Sequence, residues 1–215
     1  MATGGQFTAS FFARPCLEVA PELLGAYLVH RLDDGIRLIA RIVEVEAYLG
    51  DGTDPGSHTH RGPTPRNRAM FGPPGRLYVY RSYGVHTCAN VVCEPSGLGA
   101  AVLLRAVEPV QGEDRMRLGR GLAPGADVVK IGSGPGKLTQ AMGVTLDDYG
   151  RSLLAGRLCL RRPAPGAPPI QVGSSRRIGL SKGSELPYRF FVTGNPHVSR
   201  ARPSRKRRAA SRRCQ

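Results

Sequence analysis

The sequence has little of what membrane proteins and secreted, disulfide-bonded domains need. No apolar run approaches the roughly 20 residues of a membrane-spanning helix, and residues 1–10 contain neither a basic start nor an apolar segment that would indicate a secretory signal. Cysteine occurs only five times, an odd and sparse set that shows no disulfide framework and suits a reducing compartment. We therefore expect no membrane association and a cytoplasmic protein.

Acidic residues are scarce as well: 16 Asp and Glu face 31 Lys and Arg, for a net charge of +15. Residues 200–215 contain eight of these basic residues and no acidic one, which leaves a net charge of +7 for the first 199 residues. A basic body favours a polyanionic partner, most commonly nucleic acid; a basic protein without such a role is the alternative. Residues 200–215 have almost nothing to bury, so we predict a disordered basic tail that adds sequence-independent DNA affinity.

A chain of 215 residues fits one domain better than two. Alternating and apolar segments predict strands at residues 27–32, 37–48, 77–80, 86–93, 100–107 and 189–192. Helices are predicted at residues 21–24, 108–118 and 137–142, a functional loop region at 49–76, a surface loop at 161–175 and a loose segment at 1–10. Several antiparallel strands with few helices predict an α+β fold rather than a doubly wound sheet.

One face of the strand at 37–48 combines carboxylates with an aromatic ring. Side chains alternate along a strand, so Glu44, Glu46 and Tyr48 share one face while the apolar residues between them share the other. An anionic base beside a flat ring suits a pocket that stacks a nucleobase and attacks next to it. An ordinary solvated polar face is the alternative.

The predicted hairpin repeats this arrangement. Tyr78 and Tyr80 share a face, and Tyr83 lies at the turn, where a large ring is well placed to wedge between stacked bases or, alternatively, to fold back over its own hairpin. Asn90 on the return strand and Arg105 on the next strand are placed to face a common site. A structural ion pair is the alternative for Arg105.

Two sets of residues could suggest a metal. Alternation separates Cys93 from His86 and Cys88, and His58 with His60 is only a pair, whereas a zinc site has tighter and richer spacing. We predict no metal and no cofactor.

Short motifs along the chain resemble, in order, those of the alkyladenine (3-methyladenine) DNA glycosylase family. They are residues 41–50, 57–58, 64–68, 70–71, 77–80, 83–84, 88–90, 103–106, 133–138 and 189–192. Each alone is weak, but the ordered series is specific. The resemblance implies a single domain with a curved, mainly antiparallel sheet, a few flanking helices and a protruding β-hairpin that inserts into DNA. It predicts a catalytic domain at residues 10–199, followed by the tail at 200–215. It also implies association with the nucleoid in a bacterium, or a nuclear protein in a eukaryote.

The resemblance implies a role for each matching position. Glu46 would be the general base that deprotonates the attacking water, and Arg105 would help to position that water and the sugar-phosphate. The residues Tyr48, His58 and Tyr80 would sandwich a flipped base.

Further positions would select the base and hold the DNA. Asn90 would disfavour the exocyclic amine of guanine, and Tyr83 would intercalate into the gap left in the duplex. Arg66, Asn67 and Lys137 are predicted to contact the DNA backbone; Lys137 lies at an expected helix start, where phosphates bind readily.

The predicted activity is base-excision repair by a monomer acting on double-stranded DNA with damaged purines. The enzyme would hydrolyse the N-glycosidic bond of flipped alkylated or deaminated purines, releasing free base and leaving an abasic site. A lyase step needs an amine nucleophile; the chain has four lysines, none within the predicted site, and Ala2 is not a proline, so we predict a monofunctional enzyme. The alternative is a non-catalytic damaged-DNA or general nucleic-acid-binding protein on the same fold.

Overall fold

The computed structural model describes residues 3–200, so the predicted tail, apart from its first residue, lies outside the described residues. The helices are α1 (Ala9–Phe12), α2 (Cys16–Glu22), α3 (Glu113–Gly119), α4 (Val129–Gly132) and α5 (Pro135–Met142), with 3-10 helices at Arg68–Phe71 and Leu146–Asp148. The strands are β1 (Tyr27–Arg31), β2 (Arg37–Tyr48), β3 (Leu77–Ser82), β4 (His86–Cys93), β5 (Ala100–Gln111), β6 (Leu158–Arg161), β7 (Val172–Ser175) and β8 (Arg189–Val192). Within this part of the chain, no helix has the length and apolar character to cross a membrane.

All eight strands form one antiparallel sheet in the order β3-β4-β5-β2-β1-β6, with β8 joining β2 to β7. Strand β2 is central: β5 pairs along one edge, and the other edge is divided between β1 at residues 37–41 and β8 at residues 44–46. The β2–β5 register shifts between residues 42 and 45, an irregularity of the kind that bends a strand and increases its twist. The sheet is curled and the helices are few, which confirms the predicted α+β single domain.

The core lies against the apolar face of β2. Val43, Val45 and Ala47 are fully buried there. Helix α5 adds buried side chains; it begins with Pro135 in its first turn and ends at Gly143, whose φ of 66° suits a residue without a Cβ. The other face of β2 is therefore free to hold polar groups.

Two helix predictions had the wrong bounds. The helix predicted to begin at Pro21 is α2, which begins at Cys16 and contains Pro21 near its end, where the missing N–H costs only one hydrogen bond of the last turn. The helix predicted from residue 108 begins at Glu113, because β5 keeps pairing with β2 as far as Gln111 and Gly112 then breaks the strand with a φ of 84°.

Two segments predicted to be irregular contain packed structure. Residues 1–10 were expected to be loose, but Phe7 is buried, its ring lies 4.6 Å from that of Phe11, and Gln6 forms a bridge with Arg161. The predicted surface loop at 161–175 contains β7, which pairs with β8. Glycine and serine make up most of β7, so its composition resembles that of a loop.

Candidate active site

Glu46 lies on the polar face of β2 and is fully buried, as is Glu44, so a solvated strand face is not what β2 presents. The hydroxyl of Tyr48 and Nη1 of Arg105 donate to Glu46 Oε2 at 2.9 and 3.1 Å. The backbone N–H of Ile178 donates to Oε1 at 2.7 Å. Burial and the neighbouring Glu46 raise the pKa of Tyr48 well above its usual value, which keeps this phenol a donor. One lone pair of Oε1 has no partner among the described residues.

Glu44 also binds Arg105, through a guanidinium nitrogen other than the one that contacts Glu46. Arg105 Nε donates to Glu44 Oε1 at 2.9 Å, and Arg189 Nε donates to the same oxygen at 2.7 Å. Ser199 adds its backbone N–H at 2.6 Å and its hydroxyl at 2.8 Å. Burial opposes ionisation of Glu44, but the charges of Arg105 and Arg189 outweigh it and hold the pKa of this carboxyl below its usual value. Arg105 thus bridges two buried carboxylates.

A second buried ion pair, which the sequence did not predict, lies beside Tyr48. Arg177 and Asp54 are both buried and form two hydrogen bonds of 2.6 Å each. Arg177 Nη1 also donates to the carbonyl oxygen of Ala47 at 3.0 Å, and its guanidinium lies 4.6 Å from the centre of the Tyr48 ring. Nothing in the spacing of two residues 123 positions apart could have indicated this pair.

A cleft of about 620 Å³ opens above these groups. Its lining includes Tyr48, His58, Tyr80, Arg105, Leu103 and Ile178, together with the basic residues Arg66, Arg81, His86, Arg120 and Lys137. A smaller recess is lined by Tyr48, Gly56, His58, Met70, Tyr78, Tyr80, Asn90 and Leu180. The structure therefore brings the predicted pocket residues and Arg105 together, and adds Tyr78 and the segment at 178–180.

The aromatic side chains of the recess contact one another, and these contacts fix their orientations. The Tyr78 and Tyr80 rings stack at 5.4 Å, and the His58 ring meets Tyr80 edge-on at 4.5 Å. The hydroxyl of Tyr78 and Nδ1 of His58 share a hydrogen bond of 2.9 Å. Burial and the charge of Arg66 lower the pKa of His58, and burial raises that of Tyr78 to about 12. Both rings are therefore uncharged at neutral pH.

Asn90 lies in β4 opposite Tyr78, with 4% of its surface exposed. Its Nδ2 donates to the carbonyl oxygen of Tyr78 at 3.1 Å. That bond fixes which way the amide faces within the recess.

Tyr83 lies at the turn between β3 and β4, with a left-handed φ of 48° and 83% of its surface exposed. Its ring is therefore not folded over its own hairpin. Its hydroxyl donates to the carbonyl oxygen of Gly179 at 3.2 Å, so the hairpin turn contacts the segment that lines the other part of the cleft.

Two of the three residues predicted to contact the DNA backbone line the cleft. Arg66 donates to the carbonyl oxygen of Arg81 at 2.8 Å and lies 5.8 Å from the Tyr80 ring centre. Lys137 lies in the first turn of α5, where Nζ donates to Ser133 Oγ at 3.1 Å. No lysine was predicted within the catalytic site, yet Lys137 lines the cleft.

Asn67, the third of these residues, makes its hydrogen bonds within the protein. It is 2% exposed, its Oδ1 accepts from the N–H of Thr64, and its Nδ2 donates to the carbonyl oxygens of His58 and Gly62. It orders the loop that contains His58, and its predicted contact with DNA stays a prediction.

Within residues 3–200, no three or more His, Cys, Asp or Glu side chains cluster in a way that could hold a metal. His86 is exposed, and Cys88 and Cys93 are buried.

Residues 10–196 match the sequence profile of the methylpurine-DNA glycosylase family. The chain belongs to this family. A relative from Chlorobaculum parvum is 51% identical over 202 residues, which cover 93% of this chain and 94% of the relative. A relative from Methanoculleus marisnigri is 50% identical over 194 residues, covering 89% and 97%. One from Rhodopseudomonas palustris is 48% identical over 202 residues, covering 94% and 92%.

All three relatives are described as candidate 3-methyladenine DNA glycosylases. The resemblance found in the motifs is therefore confirmed, and methylpurine-DNA glycosylase membership makes this chain a DNA glycosylase of base-excision repair that processes alkylated purines. The division at residue 199 into a catalytic domain and a tail stays a prediction.

Glu44→Gln should destabilise this glycosylase at neutral pH, because it leaves Arg105 and Arg189 with less than their full counter-charge. Removing one partner of a buried ion pair costs about 3–5 kcal/mol. Since the folded-state pKa of Glu44 lies below its usual value, its stabilising contribution is present above about pH 4.5 and is lost as the pH falls through the lowered pKa. Urea unfolding at a series of pH values should show the gap between wild type and variant closing at acid pH. The exposed Glu185→Gln is the control, and a gap independent of pH would contradict the assignment.

Proposed function

We propose that this glycosylase, acting as a monomer without a cofactor, flips alkylated or deaminated purines out of duplex DNA and hydrolyses their N-glycosidic bond. The products are a free base and an abasic site. The observation that carries the proposal is the Glu46 carboxylate. It is fully buried, and the three residues that donate hydrogen bonds to it, Tyr48, Arg105 and Ile178, all line the cleft; one Oε1 lone pair lacks a partner among the described residues.

The recess holds only about 40 Å³ by itself, but it shares Tyr48, His58 and Tyr80 with the cleft, and this common aromatic wall suits a flipped purine. A base within a duplex cannot be reached, and its extrusion costs a few kcal/mol, least for a damaged base. Stacking on the rings of Tyr48, Tyr80 and His58 would offset this cost, since base–aromatic stacking contributes about 1–3 kcal/mol per base. Alkylated purines that carry a positive charge gain further attraction to the tyrosine faces. Asn90, with its amide direction fixed, is placed to discriminate among purine edges.

Glu46 is the general base of the proposed reaction. It accepts a proton from a water molecule while the water oxygen forms a bond to C1′ of the flipped nucleotide. The bond from C1′ to the purine nitrogen breaks, and its electron pair leaves with the purine. A positively charged alkylpurine departs as a neutral base; a neutral purine also needs a proton on its ring. Arg105, held by Glu44, orients the Glu46 carboxylate and offers positive charge to the sugar-phosphate.

Glu46→Gln should abolish base release while leaving DNA binding intact, because the amide keeps the shape of the side chain but cannot accept the proton. We expect a rate loss on the order of 10²–10⁴-fold in single-turnover release of 3-methyladenine from an alkylated duplex. Glu185→Gln, exposed and outside the cleft, should keep the wild-type rate. Full activity in Glu46→Gln would exclude this mechanism. A purified wild type that binds DNA yet releases no base would favour the non-catalytic alternative.

Tyr83→Ala tests the proposed intercalation. With no ring to fill the space left by the flipped base, the affinity for a duplex with a central lesion should fall about tenfold, the equivalent of one lost stacking contact. Release from a single strand should change much less, because no duplex gap must be filled. Val85→Ala, with 69% of the native side chain exposed at the same turn, is the control. Equal effects of both variants on duplex and single strand would count against a wedge at Tyr83.

We propose that the enzyme is monofunctional. Lys137 is the lysine of the described chain that lines the cleft, so it is the amine to test. Borohydride added during turnover should trap no protein–DNA adduct, and product strands should break only after alkali. An adduct that disappears in Lys137→Arg would instead establish a lyase step.

A further inference from the structure

The segment after β7 enters the cleft as a short run, in which Ile178, Gly179 and Leu180 all line its surface. Arg177 precedes this run but is not part of the cleft lining. It is 4% exposed. The residue before the run is therefore buried, while the run itself faces the cleft.

The Arg177 guanidinium joins three separate parts of the chain. It forms two hydrogen bonds of 2.6 Å with Asp54, in the loop after β2. It donates to the carbonyl oxygen of Ala47 at 3.0 Å within β2, and to that of Gly183 at 3.0 Å in its own segment. Asp54 in turn accepts the backbone N–H of Leu49 at 3.2 Å. The planar guanidinium group of arginine, with five N–H donors, can make this set of hydrogen bonds, whereas the ammonium group of lysine, with three, cannot.

Both functional groups of β2 depend on this junction. Ala47, whose carbonyl Arg177 holds, lies between Glu46 and Tyr48. The N–H of the next residue, Ile178, donates to Glu46 Oε1 at 2.7 Å. The guanidinium itself lies 4.6 Å from the centre of the Tyr48 ring, and Tyr48 lines the recess proposed for the base.

We propose that Arg177, fixed by Asp54, is a positioning residue that sets the general base Glu46 and the stacking ring of Tyr48 relative to each other. The inference rests on the function proposed for Glu46. Arg177 touches neither water nor DNA in this scheme; it acts through Ile178 and Tyr48. Because Asp54 balances its charge, the pair contributes geometry without adding net charge beside the catalytic carboxylate.

The test uses the full chain and Arg177→Met, which preserves much of the side-chain length but removes the fork and the charge. Single-turnover base release should fall about 10- to 100-fold, the loss expected when reacting groups move by about 1 Å. The affinity for a duplex with an abasic site should change less than about threefold, because the basic residues of the cleft lining, Arg66, Arg81 and Lys137, are unchanged.

Arg177→Lys and Asp54→Asn extend the test. Lysine keeps the charge without the bidentate geometry, so it should restore only part of the rate. Asp54→Asn should lower the rate in the same direction as Arg177→Met, and the double variant should lose no more than the worse single variant, since both act through one junction. If Arg177→Met does not fold, these two variants decide the question.

Arg41→Met is the matched control. Arg41 is also on β2 and pairs with a carboxylate, that of Glu108, but it does not line the cleft. This variant should lose stability without a change in the rate per folded molecule.

The outcomes separate the two proposals. If wild type releases no base, or Glu46→Gln is fully active, the proposed function fails. If wild type is active and depends on Glu46, but folded Arg177→Lys and Asp54→Asn keep the wild-type rate, the positioning role is overturned. Rate losses that only match the loss of folded protein would overturn it as well.

Discussion

The bridge from Arg105 to both Glu44 and Glu46 is the interaction on which the rest of the site depends. Carboxylates with no exposed surface are costly to bury unless each is paired and hydrogen-bonded. The described site meets this condition with three carboxylates and three guanidinium groups, those of Glu44, Glu46, Asp54, Arg105, Arg177 and Arg189. The equal numbers of opposite charges offset the cost of burying the carboxylate proposed as the general base.

The sheet makes this arrangement possible because β2 has neighbours of different kinds on its two edges. Strand β5 brings Arg105 from one side, and β8 brings Arg189 from the other. The apolar face of the same strand is anchored in the core, so the polar face cannot shift without disturbing packing. Stability and chemistry are therefore linked through one strand, and a variant of Glu44 is expected to affect folding before it affects catalysis.

Alternation along residues 43–48 was enough to predict that Glu44, Glu46 and Tyr48 share a face, because a period of two follows directly from strand geometry. The ordered motifs were enough to identify the family. The Asp54–Arg177 pair and the contact of Ser199 with Glu44, across 155 residues, could not be predicted, since spacing says nothing about which distant segments meet. Phe7 was missed for a similar reason: its burial depends on a tertiary aromatic cluster, whereas the local composition resembles a loop.

The partners of Glu44 and Glu46 have a consequence for the synthesis of the protein. Strand β2 leaves the ribosome early, but Ile178, Arg189 and Ser199, which complete the hydrogen bonds of its two carboxylates, are among the last described residues to follow. Until they emerge, the nascent chain holds two acidic side chains that water must solvate, so the sheet cannot close over them. The proposed catalytic centre is therefore complete only after translation has reached Ser199.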